Sequence, residues 1–309
     1  MSDALERINR LASVKVVDYS DCIDHIDHQL SIDGVNANVR LHYLKFDGNG
    51  LPMISALAET LYDYIIHYCI ASKNRSEPFD EIQAARLVKN ARQLFVHPEA
   101  TEDDPDQTGE AGEILLYFLV ESVLGAPQMV SKMELKTNQN KEINGSDGIH
   151  FKWDDQDGIV DIYFGEAKIH QELSGALGSA FKSINDFHDN DMSSHEFLMA
   201  TKHFKYADEK IKEEIERLIV RGRPSTNVRV NHACLIGYNW NDYAELVRKS
   251  PQNILDEFLE LYRADAQRVV KLLNNRFDQF DKKHLRFDFF FIPFVRVQDF
   301  RDAFNKALN

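Results

Sequence analysis

One turn and two strand-like segments in the middle of the chain constrain its fold most. Residues 159–168 are rich in Ile, Val, Tyr and Phe and follow an acidic turn that ends in glycine, which predicts a β-strand. Residues 148–153 predict a second strand, opened by Asp147. Side chains alternate between the faces of a strand, so Glu166 and Lys168 share a face, roughly 6.6 Å apart. The hairpin-like return of the chain brings Asp147 alongside Glu166.

Two converging carboxylates and a lysine are typical of metal-dependent phosphodiester cleavage. Carboxylate oxygens are ligands that Mg²⁺ and Mn²⁺ prefer, and the carbonyl of Ala167 can add a third oxygen. Lys168 would orient or help deprotonate the attacking water and offset charge on the phosphate. The sequence therefore predicts a Mg²⁺ (or Mn²⁺) site with Asp147 and Glu166 as ligands and Lys168 as a catalytic residue. The alternative is an edge strand with ordinary surface charges.

An acidic residue two positions before a lysine is a weak signal alone, because the chain contains several such pairs. They are Glu134/Lys136, Glu166/Lys168, Asp208/Lys210 and Asp281/Lys283. The last two pairs lie in charged segments, where a solvated surface is the better interpretation. The first pair ends an apolar run that predicts a strand over residues 129–135, so it is a rival. A helix precedes that run and no acidic residue opens an adjacent upstream strand, which favours the second pair.

The segment before the motif predicts a helix over residues 110–124, because its apolar residues have helical spacing and Gly125 follows. Thr108 is the predicted N-cap. Glu110 and Glu113 are three positions apart and share a face, so one of them can supply a further carboxylate ligand to the metal. Glu113 is favoured because it lies deeper in the helix. Alternatively, both only complement the helix dipole.

The predicted elements follow the order helix, three strands, helix, strand. Their ranges are 110–124, 129–135, 148–153, 159–168, 173–187 and 232–237. This αβββαβ order resembles the core of the PD-(D/E)xK nuclease superfamily, with Asp147 as its Asp and residues 166–168 as its (D/E)xK. Ser146 stands where the superfamily motif has Pro. The fold class is thus α/β, a restriction-endonuclease-like core with N-terminal α+β and C-terminal helical additions.

Three longer motifs give a narrower resemblance. They are Gly109-Glu-Ala-Gly-Glu-Ile-Leu-Leu-Tyr117, Ser146-Asp-Gly-Ile-His150 and Tyr163-Phe-Gly-Glu-Ala-Lys168. Together they resemble the HamA family, the nuclease subunits of the Hachiman anti-phage system. The resemblance implies a DNA nuclease that is the effector of a defence complex, with DNA and a superfamily 2 helicase, HamB, as partners. The alternative is a non-catalytic subunit that keeps a nuclease-like fold and regulates the helicase.

The net charge of −14, from 50 acidic and 36 basic residues, opposes unaided DNA binding. A protein that binds a polyanion usually has a basic surface. Local basic residues are Lys202, Lys205, Lys210, Lys212, Arg217, Arg221, Arg223 and Arg229. They either contact a phosphate backbone or form a solvated loop. The charge indicates a nuclease that depends on its partner for binding to DNA.

Length and composition fit one large domain or two smaller ones. The acidic, proline-interrupted residues 99–107 mark the best boundary. It separates residues 1–104, a candidate partner-binding region, from residues 105–309, the nuclease core with C-terminal helices and a strand. Three scattered cysteines indicate neither a disulfide framework nor a zinc site. No signal peptide and no apolar run of membrane-spanning length are evident, so we expect a cytoplasmic protein without a membrane partner.

Outside the core, strands are predicted at 39–45 and 287–294, and helices at 51–70, 79–94, 253–280 and 295–308. Histidines suggest further contacts. His25 and His28 have metal-like spacing but no third partner, so a surface turn is favoured. His150 and His170, together with Gln171, are candidates for contact with substrate. For His150 a packed core histidine is the alternative.

Overall fold

A six-stranded mixed sheet organises the fold. The computed structural model describes residues 3–27, 30–75, 80–95, 109–135, 145–220, 222–249 and 252–309. The strands of this sheet are β1 (Ile23–Ile26), β2 (Asn36–Leu44), β3 (Gly148–Asp154), β4 (Ile159–His170), β7 (Val228–Asn239) and β8 (Arg286–Phe294). Their order is β1-β2-β8-β7-β4-β3, with parallel pairs in the middle and an antiparallel pair at each edge. A separate small hairpin consists of β5 (Ile219–Val220) and β6 (Arg223–Pro224).

Helices cover both faces of the sheet. They are α1 (Asp3–Glu6), α2 (Val16–Cys22), α3 (Ile54–Asp63), α4 (Ile65–Cys69), α5 (Glu81–Phe95), α6 (Glu110–Leu119), α7 (Lys132–Leu135), α8 (Leu173–Asp189), α9 (Met192–Lys202), α10 (Glu209–Leu218), α11 (Asn241–Lys249), α12 (Ile254–Asp278) and α13 (Val297–Leu308). A π-helical turn, Val120–Leu124, extends α6. Among the described residues, no helix combines the length and apolar character that crossing a bilayer requires.

The aromatic strand β8 shows why both faces are covered. Successive side chains point to opposite faces, so Phe290 and Ile292 pack with α3, α6 and α13, whereas Phe289 and Phe291 pack with α8 and α12. A parallel strand that is buried on both faces reads as a continuous apolar run. The β8 sequence therefore encodes a central strand, and it occupies that place between β2 and β7.

Most predicted elements are confirmed. The strands predicted at 39–45, 148–153, 159–168, 232–237 and 287–294 form β2, β3, β4, β7 and β8, and the helices predicted at 110–124, 173–187, 253–280 and 295–308 form α6 with its π-turn, α8, α12 and α13. The helix predicted at 51–70 begins only at Ile54, after Pro52, and is divided at Tyr64 into α3 and α4. The helix predicted at 79–94 is present as α5.

The strand predicted at 129–135 is wrong. Gln128 makes a single bridge with His150, and Met129 donates to the Ile149 carbonyl at 2.7 Å, but the chain then turns into α7. A short apolar run has the same composition in a buried strand and in a buried helix, so periodicity could not separate them. Among the described residues, the predicted αβββαβ order thus has a bridge and a short helix in place of its first strand.

Strands from both sides of the predicted domain boundary share the sheet. The pairing of β2 with β8 joins residues of the 1–104 region to the C-terminal part of the chain. The boundary itself, residues 99–107, lies outside the described residues, as does the predicted N-cap Thr108. The division at 104/105 stays a prediction.

Two buried histidines, His150 and His232, are expected to make the fold sensitive to acid. Burial lowers the pKa of His150 and of His232 from 6.5 to about 3. Because the unfolded chain binds these protons first, the stabilisation is complete above about pH 6.5 and is lost as the pH falls towards 3. We expect each histidine to reduce the free energy of unfolding by roughly 1.4 kcal/mol per pH unit in this window. Urea unfolding over the pH range measures it; His232→Phe should flatten the slope, and an unchanged slope would contradict this assignment.

Candidate active site at the open edge of β4

Strand β4 extends beyond its partner β3, so among the described residues no strand pairs with this side of its C-terminal part, which is called the open edge of β4. Gly148 opens β3 and pairs with Gly165, whereas β4 continues to His170. Asp147 stands where the two strands separate. Its N–H donates to the Gly165 carbonyl at 2.8 Å, and its Oδ2 accepts from the Ala167 N–H at 2.7 Å. The Asp147 carboxylate is therefore held against the backbone between Glu166 and Lys168.

Glu166 and Lys168 form an ion pair at this edge. The distance from Lys168 Nζ to Glu166 Oε1 is 2.7 Å; Glu166 is buried and Lys168 is half-buried. Burial, and then the Asp147 carboxylate, raise the pKa of Glu166 to about 7. Burial alone would lower the pKa of Lys168, but the charges of Glu166 and Asp147 outweigh it and raise that pKa. Glu166 can thus change its charge near neutral pH while Lys168 stays protonated.

Two glycines bring α6 close to this edge. A Cβ on Gly112 would lie 3.2 Å from Ile169 Cδ1, and a Cβ on Gly165 would lie 2.9 Å from Leu116 Cδ2. Helix α6 therefore packs directly on β4, and Glu113 follows Gly112 on that helix. The charge of Glu113 contributes to the raised pKa of Lys168, so it is within electrostatic reach of the site.

The two acidic residues at the start of α6 have different surroundings. Glu113 is half-buried, and its Oε2 accepts from the Tyr68 hydroxyl at 3.1 Å. Glu110 is buried in the first helical turn. The electrostatic reach of Glu113 to Lys168 supports the preference for it, and the metal-binding role of either residue stays a prediction.

Two residues that hydrogen-bond to the acidic side chains of the site were not identified from the sequence. Tyr68 of α4 bonds Glu113, and a hydrogen bond from Ser183 of α8 lowers the pKa of Glu166 against the larger effect of burial. Tyr68 lies in a helix distant in sequence, and Ser183 lies in the helix that directly follows β4; the two helices belong to the apolar clusters on opposite faces of the sheet. Neither residue type nor spacing marks them, because only the tertiary fold brings them to β4.

The donor set suits a hard divalent cation. Asp147 and Glu166 offer carboxylate oxygens. In a strand, the N–H and the C=O of one residue point to the same side. The Ala167 carbonyl therefore faces the same edge at which the Ala167 N–H bonds Asp147. In the described parts of the chain, no three or more His, Cys, Asp or Glu side chains are grouped to hold a metal ion. Mg²⁺ commonly takes one or two carboxylates and keeps several waters, so these residues remain compatible with it.

The rival pair is engaged elsewhere. Glu134 lies in α7, where its carboxylate accepts from the Ala71 N–H at 2.9 Å and from Asn74 Nδ2 at 2.7 Å. It therefore ties α7 to the segment that follows α4. Lys136 lies outside the described residues.

The candidate histidines lie in three different environments. His150 is buried, and its Nδ1 lies 2.9 Å from the Ala126 carbonyl, so it is the packed core histidine and not a substrate contact. His170 is half-buried at the end of β4, and the Gln171 carbonyl accepts from the Asn239 N–H at 3.1 Å. His25 pairs with exposed acidic neighbours in a surface position, and His28 lies outside the described residues.

Much of the predicted basic surface is neutralised or buried. Arg229 is bound by three aspartates, Asp154, Asp157 and Asp161. Lys205 is fully buried and donates to Gln128 Oε1 at 2.9 Å. Lys212 and Arg217 pair with Glu209 and Glu214, Arg221 lies outside the described residues, and Lys202, Lys210 and Arg223 are exposed. Lys205 and Arg229 are therefore engaged within the fold, and phosphate contact by the exposed basic residues stays a prediction.

The fold is that of a mixed α/β protein with a carboxylate–lysine site where β3 separates from its antiparallel partner β4. Comparison with protein families identifies it further: the chain belongs to the HamA family, whose model matches residues 18–308. It is thereby a protein of Hachiman anti-phage defence. Comparison with curated proteins gives no match.

Proposed function

We propose that the chain is a metal-dependent DNA nuclease, the effector subunit of a Hachiman helicase–nuclease complex. The observation that carries the proposal is the meeting of Asp147, Glu166 and Lys168 at the open edge of β4. Asp147 Oδ2 bonds the Ala167 N–H at 2.7 Å, and Lys168 lies 2.7 Å from Glu166. Membership of the HamA family supports the same function.

The three residues divide the chemistry among them. Asp147 and Glu166 would hold Mg²⁺, with the Ala167 carbonyl as a further donor; when bound, the ion polarises the phosphate and lowers the pKa of a water. The raised pKa of Lys168 keeps its ammonium charged at neutral pH. This favours orientation of the nucleophile and neutralisation of phosphate charge over removal of a proton. Glu113 would add negative charge or a water-mediated contact from α6.

A PD-(D/E)xK-like core is part of the proposal. Helix α6, the β3–β4 hairpin, α8 and the parallel strand β7 follow the expected order, and Asp147 and residues 166–168 take the motif positions. The bridge at Gln128 and the helix α7 replace the first expected strand. The motif residues do not depend on that strand, because they lie on β4 and immediately before β3.

The decisive experiment is a cleavage assay on linear and circular duplex DNA with Mg²⁺, with and without EDTA. The chain is tested alone and with its helicase. Cleavage that requires Mg²⁺ in either arm supports the nuclease. No cleavage in any arm would favour a non-catalytic subunit that regulates the helicase.

We also expect the isolated chain to bind DNA weakly. Its net charge is −14, and Arg229 and Lys205 are engaged within the fold. The net charge of the chain therefore opposes the approach of a polyanion. Addition of the helicase should strengthen binding on the order of 10²-fold, because its own DNA contacts raise the local DNA concentration. Fluorescence anisotropy at physiological salt measures this; tight binding by the chain alone would refute the dependence on a partner.

A further inference from the structure

A buried ion pair contacts Ser146, the residue before Asp147. Lys132 Nζ contacts Glu196 Oε1, and the side chains are 9% and 1% exposed. Lys132 opens α7 and Glu196 belongs to α9, so the pair joins two elements distant in sequence. Two charges that are taken out of water in this way lose much hydration free energy.

The pair holds both backbone groups of Ser146. Lys132 Nζ donates to the Ser146 carbonyl, and Glu196 Oε1 accepts from the Ser146 N–H at 3.2 Å. The Ser146 hydroxyl lies 3.3 Å from Lys132 Nζ and donates to the Gly148 carbonyl at 3.0 Å. Ser146 precedes β3, so the strand ladder does not fix it. The ion pair supplies the hydrogen bonds that the ladder does not.

The backbone of Gly145 makes room for the same ion pair. Its φ is +144°, and a Cβ there would lie 1.8 Å from Glu196 Oε1. Only a residue without a side chain lets the carboxylate approach the Ser146 N–H so closely. The second oxygen, Glu196 Oε2, is buried without a hydrogen-bond partner among the described residues. An incompletely satisfied buried carboxylate opposes stability, so stability alone is a poor reason for its presence.

We propose that the Lys132–Glu196 pair positions Asp147. Pairing of Gly148 with Gly165 fixes the chain after Asp147, and the ion pair fixes Ser146 before it. With both flanking peptide groups held, the Asp147 carboxylate is directed at the Ala167 N–H and at the site beside Glu166. Lys132 and Glu196 act through Asp147 and touch neither metal nor DNA. The metal-related part of this inference rests on the proposed nuclease function.

The double variant K132M/E196L separates positioning from stability. Apolar residues of similar volume commonly replace a buried ion pair without loss of stability, but they cannot bond Ser146. Amide hydrogen exchange at Ala167, followed by NMR, reports directly whether Asp147 accepts its bond. We expect exchange at least about tenfold faster than in the wild type, approaching that of Asp147→Ala. The Mg²⁺ concentration for half-maximal cleavage should rise roughly 10- to 100-fold, with the rate at saturating Mg²⁺ largely kept.

Arg229→Lys is the matched control. It weakens an ion-pair cluster at the opposite end of the same β3–β4 hairpin, so it tests general loosening of the hairpin. Its Ala167 exchange and Mg²⁺ dependence should equal those of the wild type. K132L/E196M, which likewise removes both hydrogen bonds to Ser146 without leaving an unpaired charge, is the second variant if K132M/E196L does not fold, and the same results are expected of it.

The outcomes separate this inference from the proposed function. Wild-type exchange at Ala167 in the folded variant would overturn the positioning role, whatever the cleavage result. Equally fast exchange in Arg229→Lys would also overturn it, because loosening of the hairpin would then suffice. A wild-type protein that never cleaves DNA would refute the nuclease, and Ala167 exchange would still decide whether the ion pair holds Asp147.

Discussion

Replacement of Asp147 or Glu166 by alanine is expected to abolish Mg²⁺-dependent DNA cleavage while the protein stays folded. Each variant removes one of the two carboxylates that converge at the open edge of β4. With one ligand lost, the cation is held poorly and the water is not activated, so we expect cleavage to fall on the order of 10³-fold or more. Rate measurements at several Mg²⁺ concentrations, with circular dichroism as a folding control, test this.

Glu134→Gln is the control for these variants. Its carboxylate caps the Ala71 N–H and bonds Asn74, so the substitution should cost some stability and leave cleavage intact. The same conservative change is thus expected to abolish cleavage in Glu166→Gln and to leave cleavage intact in Glu134→Gln. Loss of cleavage in Glu134→Gln with retention in Glu166→Gln would reverse the assignment of the acidic residue.

The local part of the site was predictable from the sequence because it depends on strand periodicity. Alternation along β4 places Glu166 and Lys168 on one face, and the turn between β3 and β4 sets the pairing of Gly148 with Gly165. That register brings Asp147 next to Ala167. The same reasoning identified β8, since a run of aromatic residues is typical of a strand buried on both faces.

The parts that depend on tertiary packing were not predictable. The apolar run 129–135 has the same composition in a strand and in a buried helix. Its second half forms α7, whose first residue, Lys132, reaches Ser146. Charge counting treated Lys205 and Arg229 alike as surface cations. One is buried against Gln128, and the other is enclosed by aspartates of the β3–β4 turn and of β4. Sequence spacing carries no information about such long-range partners.

Lys168→Ala is expected to lose cleavage but to keep most of the metal binding. The ammonium is not a ligand, and in this structure it pairs with Glu166 at 2.7 Å. Its removal takes away a positive charge that lowers the pKa of Glu166, so that pKa should rise above its value of about 7. Metal binding should therefore be compared well above neutral pH, at ~pH 9, where the carboxyl is ionised in both proteins.

Calorimetry with Mn²⁺ at that pH distinguishes the roles of the two residues. We expect Lys168→Ala to bind Mn²⁺ within about tenfold of the wild type, whereas Glu166→Ala loses binding. Lys168→Arg should restore little cleavage, because a planar guanidinium cannot occupy the place of a compact ammonium beside Glu166. Equal loss of Mn²⁺ binding in Lys168→Ala and Glu166→Ala would contradict this division. Full rescue by arginine would show that positive charge alone suffices, and would remove the argument for a specific lysine at this edge.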